Sequence, residues 1–329
     1  MLRFITLLLL ICATPALAST PSFEQAKRIL REKVYFDLNK GKGGDIYCGC
    51  DWEWVGRSGG RIDMASCGLQ VRAQQTRAER TEFEHITPAW VQGHQRQCWQ
   101  NGGRDNCARN DPVFQVMYVD LFNLTISGGE QNGDRANFRF SPISGPANQY
   151  GSCQFKVDFK QRVAEPPDSA KGKIARVYFY VHHRYNLPMS AQQERILMAW
   201  HRQFPVTERE ILVHDRKAAL MGHTNPFVTG QCQWLEGRKH TCPGVFPAAV
   251  ANNDVFKQQQ RPVTSASSTP MVTRSVSVAP LRVRGNKNSQ IYHLPTCPHY
   301  DRIAERNVVE FISEQEALNA GYRKAGNCK

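Results

Sequence analysis

Glu84-His85-Ile86-Thr87-Pro88-Ala89-Trp90 sets a carboxylate beside an imidazole. Farther along, Asp120-Leu121-Phe122-Asn123-Leu124 and Glu130-Gln131-Asn132-Gly133-Asp134-Arg135-Ala136-Asn137-Phe138 add carboxamides and more carboxylates. A hard divalent cation takes oxygen ligands, and hydrolysis of a phosphodiester needs a base that deprotonates water. Imidazole titrates where such a base is useful. The His-Glu-x-x-His order of zinc peptidases is absent. Pro88 argues against a long helix through the pair and for a strand end or sharp loop. On a strand, adjacent side chains face opposite ways. Glu84 and His85 can then serve different partners, one the metal and the other a water. Asn123, Asn132 and Asn137 read as neutral oxygen ligands or phosphate contacts, with Gly128, Gly129 and Gly133 supplying backbone freedom. The same stretch also reads as a turn-rich loop capped by Asn and Asp. Arg104, in Gly102-Gly103-Arg104-Asp105 between two cysteines, reads as a loop cation. Arg135 has Asp134 and Glu130 as candidate partners.

The elements around these residues are partly legible. Ser22 with Gln25 forms a capping-box pattern ahead of an amphipathic helix carrying Phe23, Ala26, Leu30 and Val34. Ile174, Val177, Tyr178, Val181 and Tyr185 follow helical spacing. Their β-branched and aromatic content pulls toward a strand, and the spacing favours helix. Ser190 with Gln193 caps a further helix through Leu197, Trp200 and Phe204. Cys48-Gly49-Cys50 lies in a glycine-rich loop region.

The N-terminus has the pattern of a secretory leader over residues 1–18. Arg3 precedes an apolar run from Phe4 to Ala13 that is too short to span a bilayer. Ala16-Leu17-Ala18 is a small-x-small cleavage site. Periplasmic or secreted location follows, with no stable membrane insertion. Of the eleven cysteines, Cys12 falls in the leader. The others are Cys48, Cys50, Cys67, Cys98, Cys107, Cys153, Cys232, Cys242, Cys297 and Cys328. An even set in an oxidising compartment, with no CxxC pair, argues for disulfides rather than thiol catalysis. Cys98–Cys107 and Cys232–Cys242 are the simplest local pairs. The formal net charge of +13 attracts polyanions such as nucleic acid, anionic lipid or cell-wall polymer.

Composition shifts near Val255 into a stretch rich in Ser, Thr, Val and Pro. The expected organisation is a catalytic domain at 19–253, a flexible linker at 254–283 and a small cysteine-containing domain at 284–329.

Arg80-Thr81-Glu82-Phe83-Glu84-His85-Ile86-Thr87-Pro88-Ala89-Trp90 resembles the core motif of the bacterial endonuclease I family of periplasmic or secreted nucleases. Asp120 to Leu124 and Gly129 to Phe138 resemble its second block, and Gly222-His223-Thr224-Asn225-Pro226-Phe227-Val228 its closing motif. The resemblance implies a mixed α+β fold with a ββα-metal (His-Me finger) catalytic domain stapled by disulfides, and a small α+β domain after the linker. It implies His85 as general base and Arg104 as the cation steadying phosphate and leaving group. Glu84 and Asn132 would hold one divalent ion, usually Mg2+, with Ca2+ or Mn2+ as substitutes. Arg135, Asn123 and Asn137 would contact substrate. DNA and RNA, cut without sequence preference to 5′-phosphate ends, are the implied substrates. The sequence departs from the family at Phe122, where His is common, at Trp90 and at His223. The C-terminal segment resembles, distantly, the zinc-binding module of the Ada DNA-repair protein. That module uses four cysteines, whereas only Cys297 and Cys328 occur here. A Cys297–Cys328 disulfide is therefore expected rather than zinc.

Two rival readings remain at this level. A non-catalytic exported nucleic-acid-binding protein is opposed by intact Glu84, His85, Arg104 and Asn132. A secreted zinc hydrolase of another substrate class is opposed by the missing zinc signature in the main domain. Protein partners leave no sequence signal.

Overall fold

The computed structural model describes residues 20–242 and 283–328, the latter without 296, 312, 313 and 327. The chain divides into two compact units, 1–262 and 263–329. The expected leader, and the expected linker up to residue 282, lie outside the described residues.

In the first unit α1 is Phe23–Ile29, and the Ser22/Gln25 capping box is present in both directions. Its continuation, Leu30–Val34, widens to a π-helical turn, and Ala26, Leu30 and Val34 face the core. A short hairpin follows, β1 (Trp52–Val55) against β2 (Gly59–Ile62). Strand β3 (Thr81–His85) ends at the candidate base, and Pro88 caps α2 (Ala89–Gly93). Two more helices, α3 (Gly103–Asn110) and α4 (Pro112–Tyr118), lead into β4 (Leu124–Gly128). β4 pairs antiparallel with β3, placing Leu124 opposite His85 and Thr125 opposite Glu84.

Helix α5 (Gly129–Arg135) leaves β4 directly. The turn-rich reading of this stretch is thus corrected to a strand running into a helix. The glycines serve packing: a Cβ on Gly129 would lie 2.4 Å from the Arg77 carbonyl, and one on Gly133 2.2 Å from the Arg77 guanidinium.

The long apolar pattern forms helix α6 (Asp168–Arg184), as its spacing indicated. Its capped successor is α7 (Ala191–Gln203), against which it packs, and α8 (Glu208–Met221) follows. Ile174, Phe179, Val181 and Leu197 from this layer join Trp52 and Phe114 in the buried core. No described helix is long and apolar enough to cross a membrane.

The two expected local disulfides, Cys98–Cys107 and Cys232–Cys242, form. Cys48–Cys153 and Cys50–Cys67, which spacing did not assign, staple the loop ahead of β1. Among its described residues the second unit is a four-stranded sheet with one α-helix, Glu314–Asn319. Its strands are β5 (Val283–Asn286), β6 (Ile291–His293), β7 (Val308–Phe311) and β8 (Arg323–Lys324), in the order β7-β5-β6-β8. Val283, Tyr292, Phe311 and Ala317 form its small core, and Cys297–Cys328 is closed.

Candidate active site

A cavity of about 800 Å3 opens beside the antiparallel β3–β4 pair and α5. Its lining includes Glu82, Glu84, His85, Arg104, Asn132, Arg135 and Asn137. Six of the seven residues given catalytic, metal or substrate roles from the sequence therefore meet there.

His85 is half-buried at the end of β3. Its ring stacks on Tyr118, with centroids 4.7 Å apart, and lies 5.2 Å from Phe23. Nε2 is 2.8 Å from the Tyr118 carbonyl oxygen. A carbonyl only accepts, so Nε2 carries the proton and Nδ1 presents the lone pair. Burial pushes the imidazole down to about 4, and the positive charges of Arg104 and Arg135 act in the same direction. His85 is thus a neutral base of fixed tautomer at neutral pH.

Glu84 is 3 % exposed. Its Oε1 accepts from the Tyr47 hydroxyl at 2.6 Å and from Arg135 Nη1 at 2.8 Å. Burial pushes this carboxyl up, while Arg135 and Tyr47 favour its ionised form. Both partners engage Oε1, so Oε2 is the oxygen not taken by them. Asn132 projects from α5 and donates Nδ2 to Glu82 Oε2 at 2.9 Å. Its Oδ1 is then the atom with lone pairs to offer. A carboxylate oxygen and an amide oxygen suit a hard divalent ion.

Arg104 lies in the first turn of α3 and is solvent-exposed, paired with Asp105 at 3.0 Å. Such a surface pair is weak, leaving the guanidinium available to an anion. Asn137 lines the cavity, and its Oδ1 accepts from Arg162. Trp90 also lines the cavity, 43 % exposed and stacked face to face on His94 at 3.7 Å.

Two residues expected to contact substrate are engaged by the protein itself. Asn123 is fully buried and outside the cavity. Its Oδ1 accepts from Thr87 N at 2.7 Å and its Nδ2 donates to Thr87 O at 2.9 Å. It braces the loop after His85, as a carboxamide does when it replaces a missing backbone partner. Arg135 is also fully buried. It pairs with neither Asp134 nor Glu130 but donates to Glu84, to the His85 and Ile86 carbonyls and to the Tyr178 hydroxyl. It pins the strand and the loop after it through both terminal nitrogens, Nη1 and Nη2. Asp134 is paired instead with Arg72 and Tyr150, and Glu130 accepts from the backbone at 72–74.

The sequence reading missed Tyr47, Glu82 and Tyr118. Glu82 was readable, since residues two apart share a strand face. Tyr47 and Tyr118 act through contacts distant in sequence, so spacing carried no sign of them. Phe122 does not line the cavity; it packs against Tyr180, His214 and His223. His223 Nε2 meets the Tyr180 hydroxyl, which donates to Asp120.

Residues 22–232 match the Endonuclease I family. The chain belongs to that family. It is an endonuclease, a hydrolase of phosphodiesters, and the family implies a divalent metal. Among similar proteins is an extracellular deoxyribonuclease of Aeromonas hydrophila, 48 % identical over 189 residues, covering 57 % of this chain and 81 % of the relative. A periplasmic deoxyribonuclease of the same organism is 43 % identical over 234 residues, covering 70 % and 98 %. Endonuclease-1 of Buchnera aphidicola subsp. Acyrthosiphon pisum is 39 % identical over 215 residues, covering 64 % and 82 %.

Proposed function

We propose that the chain is an exported, metal-dependent endonuclease that cleaves DNA, and RNA, with little base preference, leaving 5′-phosphate ends. The observation that carries this reading is His85: neutral, fixed in one tautomer by Tyr118, and lining the same cavity as Glu84, Asn132 and Arg104. Nδ1 takes the proton from the attacking water. Glu84 and Asn132 would hold Mg2+, with Ca2+ or Mn2+ as alternatives. When bound, the cation neutralises phosphate charge and stabilises the departing 3′ oxygen. Arg104 leaves Asp105 for the phosphate and stabilises the charge that builds in the transition state. Phosphate-centred contacts carry no sequence information, which accounts for the lack of base preference.

The relatives named extracellular and periplasmic nucleases, together with the leader pattern and the disulfides, support export. We also propose a catalytic domain at 19–253, a linker at 254–283 and a small domain at 284–329; the division of the chain into two compact units supports this, and the small domain lies outside the family match. Plasmid nicking with Mg2+ and with EDTA tests the reading. Cleavage that persists in excess chelator contradicts it.

A further inference from the structure

Asn132 offers two nearly isosteric atoms, and only the oxygen can ligate a cation. Something must decide which of them faces the cavity. Glu82 meets Asn132 at 2.9 Å, and an ionised carboxylate only accepts. The atom facing it must therefore be Nδ2. Glu82 is itself clamped. Arg77 forks onto both oxygens, at 3.0 and 2.7 Å, and Arg80 approaches Oε1 at 2.9 and 3.2 Å. The clamp has a slot built for it, because the Arg77 guanidinium occupies the space where a Cβ on Gly133 would stand. Gly133 follows Asn132 directly in α5.

We propose that Glu82, locked by Arg77 and Arg80 and given room by Gly133, is a positioning residue that fixes the Asn132 amide with its oxygen turned to the metal. This rests on the reading of Asn132 as a metal ligand. Glu82→Gln keeps the size but introduces a second amide. Arg77 and Arg80 hold the new amide's oxygen at the Oε1 position, so its NH2 faces Asn132 and draws the Asn132 oxygen away from the cation. Partners behind a ligand commonly change metal affinity about 10–100-fold.

The test titrates the metal-stripped full chain with Mn2+ alone, by calorimetry, and follows thermal unfolding in parallel. Glu82→Gln should weaken Mn2+ binding about 10-fold or more with little change in melting temperature. The double variant Glu82→Gln with Asn132→Asp should recover most of that loss, because an aspartate has no orientation to fix. Gly133→Ala should also weaken Mn2+ by displacing Arg77, although Ala is the better helix former. Normal Mn2+ affinity in Glu82→Gln, beside a weakened Asn132→Ala, overturns the positioning role alone. Loss of affinity with a collapsed melting temperature and no recovery in the double variant also overturns it, because the role is then structural. Normal affinity in Asn132→Ala removes the ligand assignment itself.

Discussion

His85 does two things at once through one environment. Packing against Tyr118 and Phe23 holds it neutral, and the Tyr118 carbonyl selects the nitrogen that stays basic. The base works deprotonated, and its folded value lies near 4. The rate should therefore stay flat from neutrality to about pH 5 and fall about tenfold per unit below 4. An acid limb near 6.5 in kcat/KM would show an imidazole without this environment. The shift also affects stability. The depressed value favours folding fully above the unfolded value of about 6.5, and that benefit is lost as pH falls toward 4. Arg104 should separate catalysis from stability. Arg104→Ala should lower kcat about 10²–10³-fold. Because its pair with Asp105 is exposed, the melting temperature should barely move.

At the scale of elements, the site is an antiparallel strand pair followed by a helix. β3 brings Glu82, Glu84 and His85, β4 registers them, and α5 adds Asn132 and Arg135. Lys217 from α8 secures β4 from behind, donating to the Leu124 carbonyl at 2.7 Å. Arg135 ties strand to helix inside the core. Arg135→Met leaves Glu84 buried without its cation and should cost about 3–5 kcal/mol in denaturant unfolding. A loss under 1 kcal/mol would mean that the pair is not the tie described. Much of this level was readable in sequence. The capping box at Ser22, the N-cap at Ser190, the helical spacing through Ile174 to Val181 and the strand end before Pro88 are local signals. The protein partners of Asn123 and Arg135 were not legible, for one reason. Each side chain meets partners far away in sequence, Thr87 and Glu84, and a polar residue's exposure cannot be seen from its neighbours. The helix at Gly129–Arg135 was hidden because its glycines relieve contacts with Arg77 rather than mark a turn.

At the scale of the whole molecule, the cysteines connect export to catalysis. Cys48–Cys153 and Cys50–Cys67 anchor the chain directly after Tyr47, whose hydroxyl holds Glu84. Loop-closure entropy ranks the bridges. Breaking Cys48–Cys153, 105 residues apart, should cost about 5 kcal/mol, and breaking Cys98–Cys107, 9 apart, about 2.5 kcal/mol. Double serine variants compared by guanidinium unfolding check the order, and the reverse order would place the effect in native packing instead. A chain ending at Asn253 retains every candidate site residue. It should cleave DNA at a near-normal saturated rate, and an inactive but folded product would show that the C-terminal unit completes the site. The most direct measurement is single-turnover plasmid cleavage by the wild type and by His85→Ala, each with Mg2+ and with EDTA. The wild type should cut only with the metal. His85→Ala should bind DNA normally and cut about 10²–10⁴-fold more slowly. Near-normal cutting by His85→Ala, or wild-type cutting in EDTA, would contradict a metal-dependent site with His85 as its base.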